Sequence, residues 1–215
     1  MIAPADISRH HPGAATAARA WRFPAFAAGP ALTAAVLGLA HPHHLTADTA
    51  PVWLVLHIVL LFVFPVIAVG PISVVRQAAV ASADRRLLRR AATSSAVVYA
   101  VCYGTLDVLA GIGAGSLVDQ GVGAGEQDRA VLVLQKAAEP FGAIGGVALL
   151  CLVCIAGYAV WKVAGQSALP GSLLVVVGAW GLMHHHIYWP TGTLTMLCFA
   201  AGVAMLGFHS QPAVV

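Results

Sequence analysis

The chain has 215 residues, of which 60% are apolar and only 9% are charged, and its mean hydropathy is +0.86. A soluble domain carries about 25% charged residues. This composition therefore excludes an ordinary soluble domain, a disordered segment and a disulfide-rich secreted scaffold. The formal net charge of +3 is too small for a surface that follows nucleic-acid phosphates. The composition predicts an all-α, multi-pass bundle of membrane-spanning helices, with the lipid bilayer as its surroundings.

Six apolar stretches come close to or exceed the roughly 20 residues that a helix needs to cross a bilayer. In chain order they are residues 23–40, 50–75, 93–118, 141–161, 169–186 and 189–208. The runs are continuous and lack the alternation of a strand, so each predicts a helix. The fifth run is short, and a re-entrant hairpin with the sixth is its alternative. We expect an N-terminal tail over 1–22, a membrane domain over 23–208 and a C-terminal tail over 209–215.

The basic residues predict the orientation of these six helices. Nine of the eleven Lys and Arg residues fall on one face of the predicted topology, and only Arg129 and Lys136 fall on the other. The nine are Arg9, Arg19, Arg22, Arg76, Arg85, Arg86, Arg89, Arg90 and Lys162. Because Lys and Arg accumulate on the cytoplasmic side of membrane proteins, both termini are predicted to be cytoplasmic. The bias, with the Ala- and Gly-rich composition, favours a bacterial plasma membrane, which in such cells is the cell inner membrane.

Histidines are the unusual feature of the chain, because seven of the ten are predicted to lie toward the outer side. They belong to three segments and are His41, His43, His44, His57, His184, His185 and His186. Imidazole is the commonest metal ligand among side chains. We therefore predict an outward-facing, histidine-rich pocket that binds a transition metal, copper or zinc, in metal handling or in metal-dependent membrane chemistry.

A buried carboxylate is predicted beside these histidines. Tyr99, Tyr103, Asp107, Gly111 and Gly115 recur at i+4, so they share one face of the third helix, and the glycines there allow a neighbouring helix to approach closely. Asp107 is therefore expected to face protein and to hydrogen-bond to a histidine of the second helix. On the same outer side, the sequence offers two further carboxylates as supporting acceptors. They are Asp48 and Glu139.

Several alternatives remain open at this point. The histidines are also compatible with helix capping in the headgroup region, which needs no ligand. A haem b held between His57 and one histidine of the 184–186 triplet fits less well, since only His57 is predicted to be deeply buried. Other hypotheses are that the protein is a non-catalytic accessory subunit of a larger membrane complex, a homo-oligomer, or a small transporter that couples ions through Asp107. The sequence contains no motif that names a reaction, so enzymatic activity is undetermined.

Overall fold

A computed structural model describes residues 14–79, 84–122 and 128–211, with side chains from residue 22 onward. These residues form helices, and no strand occurs among them. In chain order the helices are α1 (Ala14–Leu39), α2 (Ala50–Ile67), α3 (Val69–Ala78), α4 (Arg85–Leu106), a π-helical turn (Asp107–Gly113), α5 (Ala114–Asp119), α6 (Arg129–Ala164), a 3₁₀ turn (Gly165–Ala168), α7 (Leu169–His185) and α8 (Thr191–His209). Of the predicted basic residues, Arg9 and the side chain of Arg19 lie outside the described part.

Five helical segments are long and apolar enough to cross a membrane. They are Arg22–Leu39, Ala50–Ala78, Arg85–Asp119, Arg129–His185 and Thr191–His209. The predicted all-helical, membrane-compatible architecture is therefore confirmed. The fourth segment has 57 residues and contains a reversal, because the backbone of Gly165 takes a φ of +58° between α6 and α7.

The two arms of that reversal pack side by side in opposite directions. A Cβ on Gly157 in α6 would meet Ser172 in α7, and a Cβ on Gly146 would meet Met183 near the far end of α7. Residues that are later in α6 thus contact residues that are earlier in α7. The pair is an antiparallel hairpin joined by the 3₁₀ turn.

The second predicted helix is divided by a proline. Pro71 lacks a backbone N–H, so it cannot donate to the carbonyl of Ile67 four residues earlier. Helix α2 ends at Ile67, and α3 starts at Val69 after a single junction residue, Ala68. The predicted third helix also differs from expectation, since it begins at Arg85 and contains the π-helical turn from Asp107 to Gly113.

Close helix packing brings four chain segments together at one end of the bundle. Helix α7 forms a tight hairpin with α8, where Gly178 leaves room for Phe199, and α1 packs along α8. Helix α4 packs along α6, while α2 contacts both α4 and the π-helical turn. The end of α1, the first half of α2, the π-helical turn and the end of α7 therefore meet, and the candidate site lies at this meeting point.

Candidate metal centre

Three histidines from three separate segments converge in the structure. His41 follows the end of α1, His57 lies in the second turn of α2 and His186 follows the end of α7. One ring nitrogen from each of the three lies within 4.8 Å of those from the other two. The ring centroids of His41 and His57 are 4.9 Å apart, and those of His41 and His186 are 5.5 Å apart. We call His41, His57 and His186 the histidine cluster.

Backbone carbonyls orient two of these rings. Nδ1–H of His41 donates to the carbonyl of Pro42 at 2.8 Å, and Nδ1–H of His57 donates to the carbonyl of Trp53 at 2.8 Å. A carbonyl only accepts hydrogen bonds, so the proton of each neutral ring lies on Nδ1 and the lone pair lies on Nε2. Metal-binding histidines are commonly held in this way, with the second nitrogen donating to a carbonyl.

The third ring is oriented by a tyrosine. The hydroxyl of Tyr103 donates to the carbonyl of Leu182 at 3.3 Å, and its oxygen accepts from Nδ1–H of His186 at 3.0 Å. Nε2 of His186 and Nε2 of His41 are both buried without a hydrogen-bond partner. Among the described residues, no other protein group uses the lone pairs of these two nitrogens.

Aromatic side chains surround the histidine cluster. Trp53 stacks on His57 at a centroid distance of 4.8 Å, and Tyr188 packs edge-on against His41 at 4.6 Å. Phe64 contacts His186 at 5.2 Å. This packing limits the rotation of the three imidazoles and keeps much of the surrounding space apolar.

His186 has an unusual backbone conformation. Its φ is +50° and its ψ is −136°, a region that favours glycine over residues with a side chain. Holding such a residue there costs about 1–3 kcal/mol, and conformations of this kind concentrate at functional sites. The strained backbone turns the last histidine of the triplet back toward His41 and His57.

Asp107 lies beside the cluster and is fully buried. Its Oδ1 is 3.9 Å from Nε2 of His57, which is too far for a hydrogen bond. The predicted hydrogen bond between Asp107 and His57 is therefore wrong in detail, because His57 uses its N–H on the carbonyl of Trp53. Both carboxylate oxygens of Asp107 lack a hydrogen-bond partner.

Glycines bring α2 close to this carboxylate. A Cβ on Gly111 would lie 2.1 Å from Cδ2 of His57, and a Cβ on Gly115 would lie 2.9 Å from Cδ1 of Trp53. The carbonyl of Gly111 also accepts a hydrogen bond from Nε1–H of Trp53 at 3.1 Å. The five residues at i+4 spacing, from Tyr99 to Gly115, are all buried, as predicted.

Burial keeps the histidines outside the helices in the form that binds metals. Desolvation lowers the pKa of His41 below its ordinary value of 6.5, and the nearby His43 lowers it further, against the opposing hydrogen bond to Pro42. Desolvation, with His41 and His57 as neighbours, holds the pKa of His186 well below 6.5. Both rings are therefore neutral at neutral pH, with a free lone pair for a metal ion.

The other sequence-predicted site residues do not belong to the cluster. The remaining four outer histidines, His43, His44, His184 and His185, are exposed. Asp48 is exposed, and Glu139 is exposed and accepts from Lys136 at 2.5 Å. The segments 41–44 and 184–186 thus contribute one histidine each to the cluster, and their other histidines are exposed. Sequence reasoning also missed Tyr103 as the residue that orients His186, although its i+4 spacing from Asp107 places it on the buried face.

A cavity of about 830 Å³ adjoins the cluster. Its walls include His57, Asp107 and His186, together with apolar side chains such as Leu106 and Leu132. The exposed histidines and Glu139 lie at its margin. The site thus joins a set of nitrogen ligands, a buried carboxylate and a space large enough for a small organic molecule.

Comparison with protein-family models, with curated proteins and with solved structures finds no match for this chain. The geometry and chemistry of the site therefore indicate the function.

Proposed function

We propose that the protein is a six-crossing integral membrane protein that binds one transition-metal ion through His41, His57 and His186. The observation that carries this proposal is the approach of three ring nitrogens to within 4.8 Å of one another. A tetrahedral ion bound at about 2.0–2.1 Å from each nitrogen holds its ligands about 3.4 Å apart. Movement of each ring by up to about 0.8 Å toward the ion brings the cluster to this geometry.

Three further features support an ion. Each imidazole is oriented by a hydrogen bond at Nδ1, which leaves Nε2 for coordination. Two of the Nε2 atoms are buried without partners. A buried carboxyl group stands next to the ligands, and a cation beside it would offset the cost of burying its charged form.

The chemistry of the ligands favours zinc over copper(I) and over haem. Three imidazoles and a nearby carboxylate are borderline and hard donors, whereas copper(I) favours soft sulfur ligands. Met183 lines the cavity but is not one of the cluster's ligands. A haem b held between two histidines needs them on opposite faces of a large macrocycle. The three imidazoles instead form a single compact group, which fits one ion.

Metal analysis tests this proposal with two neighbouring histidines. Protein purified and loaded with zinc is expected to retain about one zinc per chain, since three imidazoles make one site. His186→Ala removes one ligand of the cluster and should lose that zinc, whereas His185→Ala changes an exposed neighbour and should retain it. Equal zinc content in the two variants would contradict the proposal.

The six-crossing topology follows if α6 and α7 are counted as separate crossings of the antiparallel hairpin. The positive-inside bias then supports cytoplasmic termini and an outward-facing histidine cluster in a bacterial plasma membrane. The cluster would lie at the outer ends of α1 and α7, close to the periplasmic side.

Reporter fusions test the topology at two connections. A reporter fused after Asp48, between α1 and α2, should report the outer side, and one fused after Gly165, between α6 and α7, should report the cytoplasm. The physical reason is that Arg22, Arg76 and Lys162 belong to the cytoplasmic ends of their helices. The same side for both fusions would exclude this topology.

A further inference from the structure

The histidine cluster provides three protein ligands and no more. Within the described residues, the group whose ligand atoms all approach one another contains His41, His57 and His186 but no carboxylate or thiol. Structural zinc sites usually close the ion with four protein ligands, whereas catalytic sites use three and leave the fourth position to water. An ion in this cluster therefore has an open position.

The cavity adjoins two of the three ligands. His57 and His186 both contribute to its walls beside Trp53 and Tyr188, whereas Phe64 packs against the cluster away from the cavity. Asp107 also lines the cavity. A water on the ion would thus lie between the metal and the space in which a guest molecule fits.

Asp107 is suited to receive a hydrogen bond from this water. Both of its oxygens are buried and unpartnered, and one lies 3.9 Å from Nε2 of His57. Asp107 is therefore near enough to a ligand atom for its carboxylate to accept a hydrogen bond from a water on the ion. The π-helical turn that begins at Asp107 gives a local helix distortion of a kind frequently found at functional sites.

We propose that the metal centre activates water and that the cavity receives a neutral carboxylic ester, with Asp107 as the general base. This inference rests on the proposed metal site and names its reaction and substrate class. The cavity lining among the described residues includes no Lys or Arg that would pair with the charge of an anionic phosphate ester. The apolar walls formed by Leu106, Leu132 and Leu182 fit an acyl chain.

The reaction balances as a simple hydrolysis. Asp107 takes one proton from the ion-bound water, and the resulting hydroxide oxygen forms a bond with the carbonyl carbon of the ester. The bond from that carbon to the alcohol oxygen breaks, and Asp107 returns the proton to the departing alkoxide. Water and ester give acid and alcohol, with no oxidation or reduction.

Hydrolysis of p-nitrophenyl butyrate by zinc-loaded, full-length protein in detergent micelles tests this role. Asp107→Asn keeps the size of the side chain but removes the base, so hydrolysis is expected to fall by about 10²-fold or more while one zinc per chain remains. Asp119→Asn makes the same chemical change at an exposed residue at the end of α5 and should hydrolyse at the wild-type rate.

A second measurement needs only the wild-type chain. In cobalt(II)-loaded protein, acetohydroxamic acid should displace the water, bind the ion through oxygen and donate a hydrogen bond to Asp107, which changes the visible absorption of cobalt. Such binding should weaken by about tenfold or more in Asp107→Asn, since it loses a hydrogen bond to a charged group. The wild-type spectrum alone tests the open coordination position, even if the asparagine variant does not fold.

The outcomes distinguish the metal site from the water-activating role of that site. Wild-type protein that retains no zinc contradicts the metal site itself. Zinc-loaded protein that hydrolyses the ester no faster than metal-free protein, or a cobalt spectrum that acetohydroxamic acid leaves unchanged, overturns the water-activating role alone. Loss of zinc in Asp107→Asn would make the carboxylate a ligand and would equally overturn its role as a base.

Discussion

Zinc is expected to raise the thermal stability of the metal-free protein, and His57→Ala should abolish this increase. An ion that binds only the folded chain stabilises it by about 4 kcal/mol when its free concentration is about 1,000 times the dissociation constant. His57 contributes one of three ligands, and its ring is fixed by Trp53 on one side and by Gly111 on the other. Thermal denaturation with and without zinc measures the effect.

A histidine at the opposite end of α8 provides the control. His209 lies in the last turn of α8, whereas the first turn of this helix begins just after the histidine cluster. His209→Ala should therefore keep the full zinc-dependent increase in melting temperature. An equal increase in wild-type protein and in His57→Ala would mean that zinc binds to the exposed histidines rather than to the cluster.

The helical class and the buried face of α4 follow from local sequence patterns. Apolar runs of sufficient length specify helices in lipid, because each helix satisfies its own backbone hydrogen bonds. The i+4 recurrence from Tyr99 to Gly115 indicates which side of the chain is buried, and the structure has these residues inside. Both inferences use contacts between residues that are near in sequence.

The composition of the cluster does not follow from such patterns. The segments 41–44 and 184–186 each offer three imidazoles. Which imidazole turns inward depends on how the backbone leaves the preceding helix. His186 points inward because its φ is positive, and His41 does so because its ring is held by the carbonyl of Pro42. These are properties of two loop conformations, which depend on the packing of α1, α7 and α8 against one another.

The exact position of the Asp107 carboxylate also does not follow from local sequence patterns. Its burial is predictable from helical spacing, whereas its separation of 3.9 Å from His57 is not. A π-helical turn shifts the register of the helix by one residue for each inserted position, so ideal α-helical geometry does not give the direction of the carboxylate. Trp53 also competes for His57 through its carbonyl, which is a backbone contact within α2.

Gly111 is expected to be the glycine whose substitution harms the site most. In Gly111→Ala the new Cβ would lie 2.1 Å from Cδ2 of His57, so the ring or α2 must move. Overpacking of this kind costs about 1–3 kcal/mol of stability. Displacement of a ligand ring should also weaken zinc binding by about 10- to 100-fold, the range found when the support of a ligand is lost.

Gly104→Ala in the same helical segment is the matched control. Its new Cβ would meet only Cδ1 of Leu61 at 3.8 Å, an ordinary contact. Because alanine is favoured over glycine within a helix by about 1 kcal/mol, this variant should be as stable as wild type or slightly more stable, with unchanged zinc affinity. Equal thermal stability and equal zinc affinity in the two variants would show that α2 does not approach the π-helical turn as closely as Gly111 allows. The support of His57 from that side would then be absent, and its ring would be held by Trp53 alone.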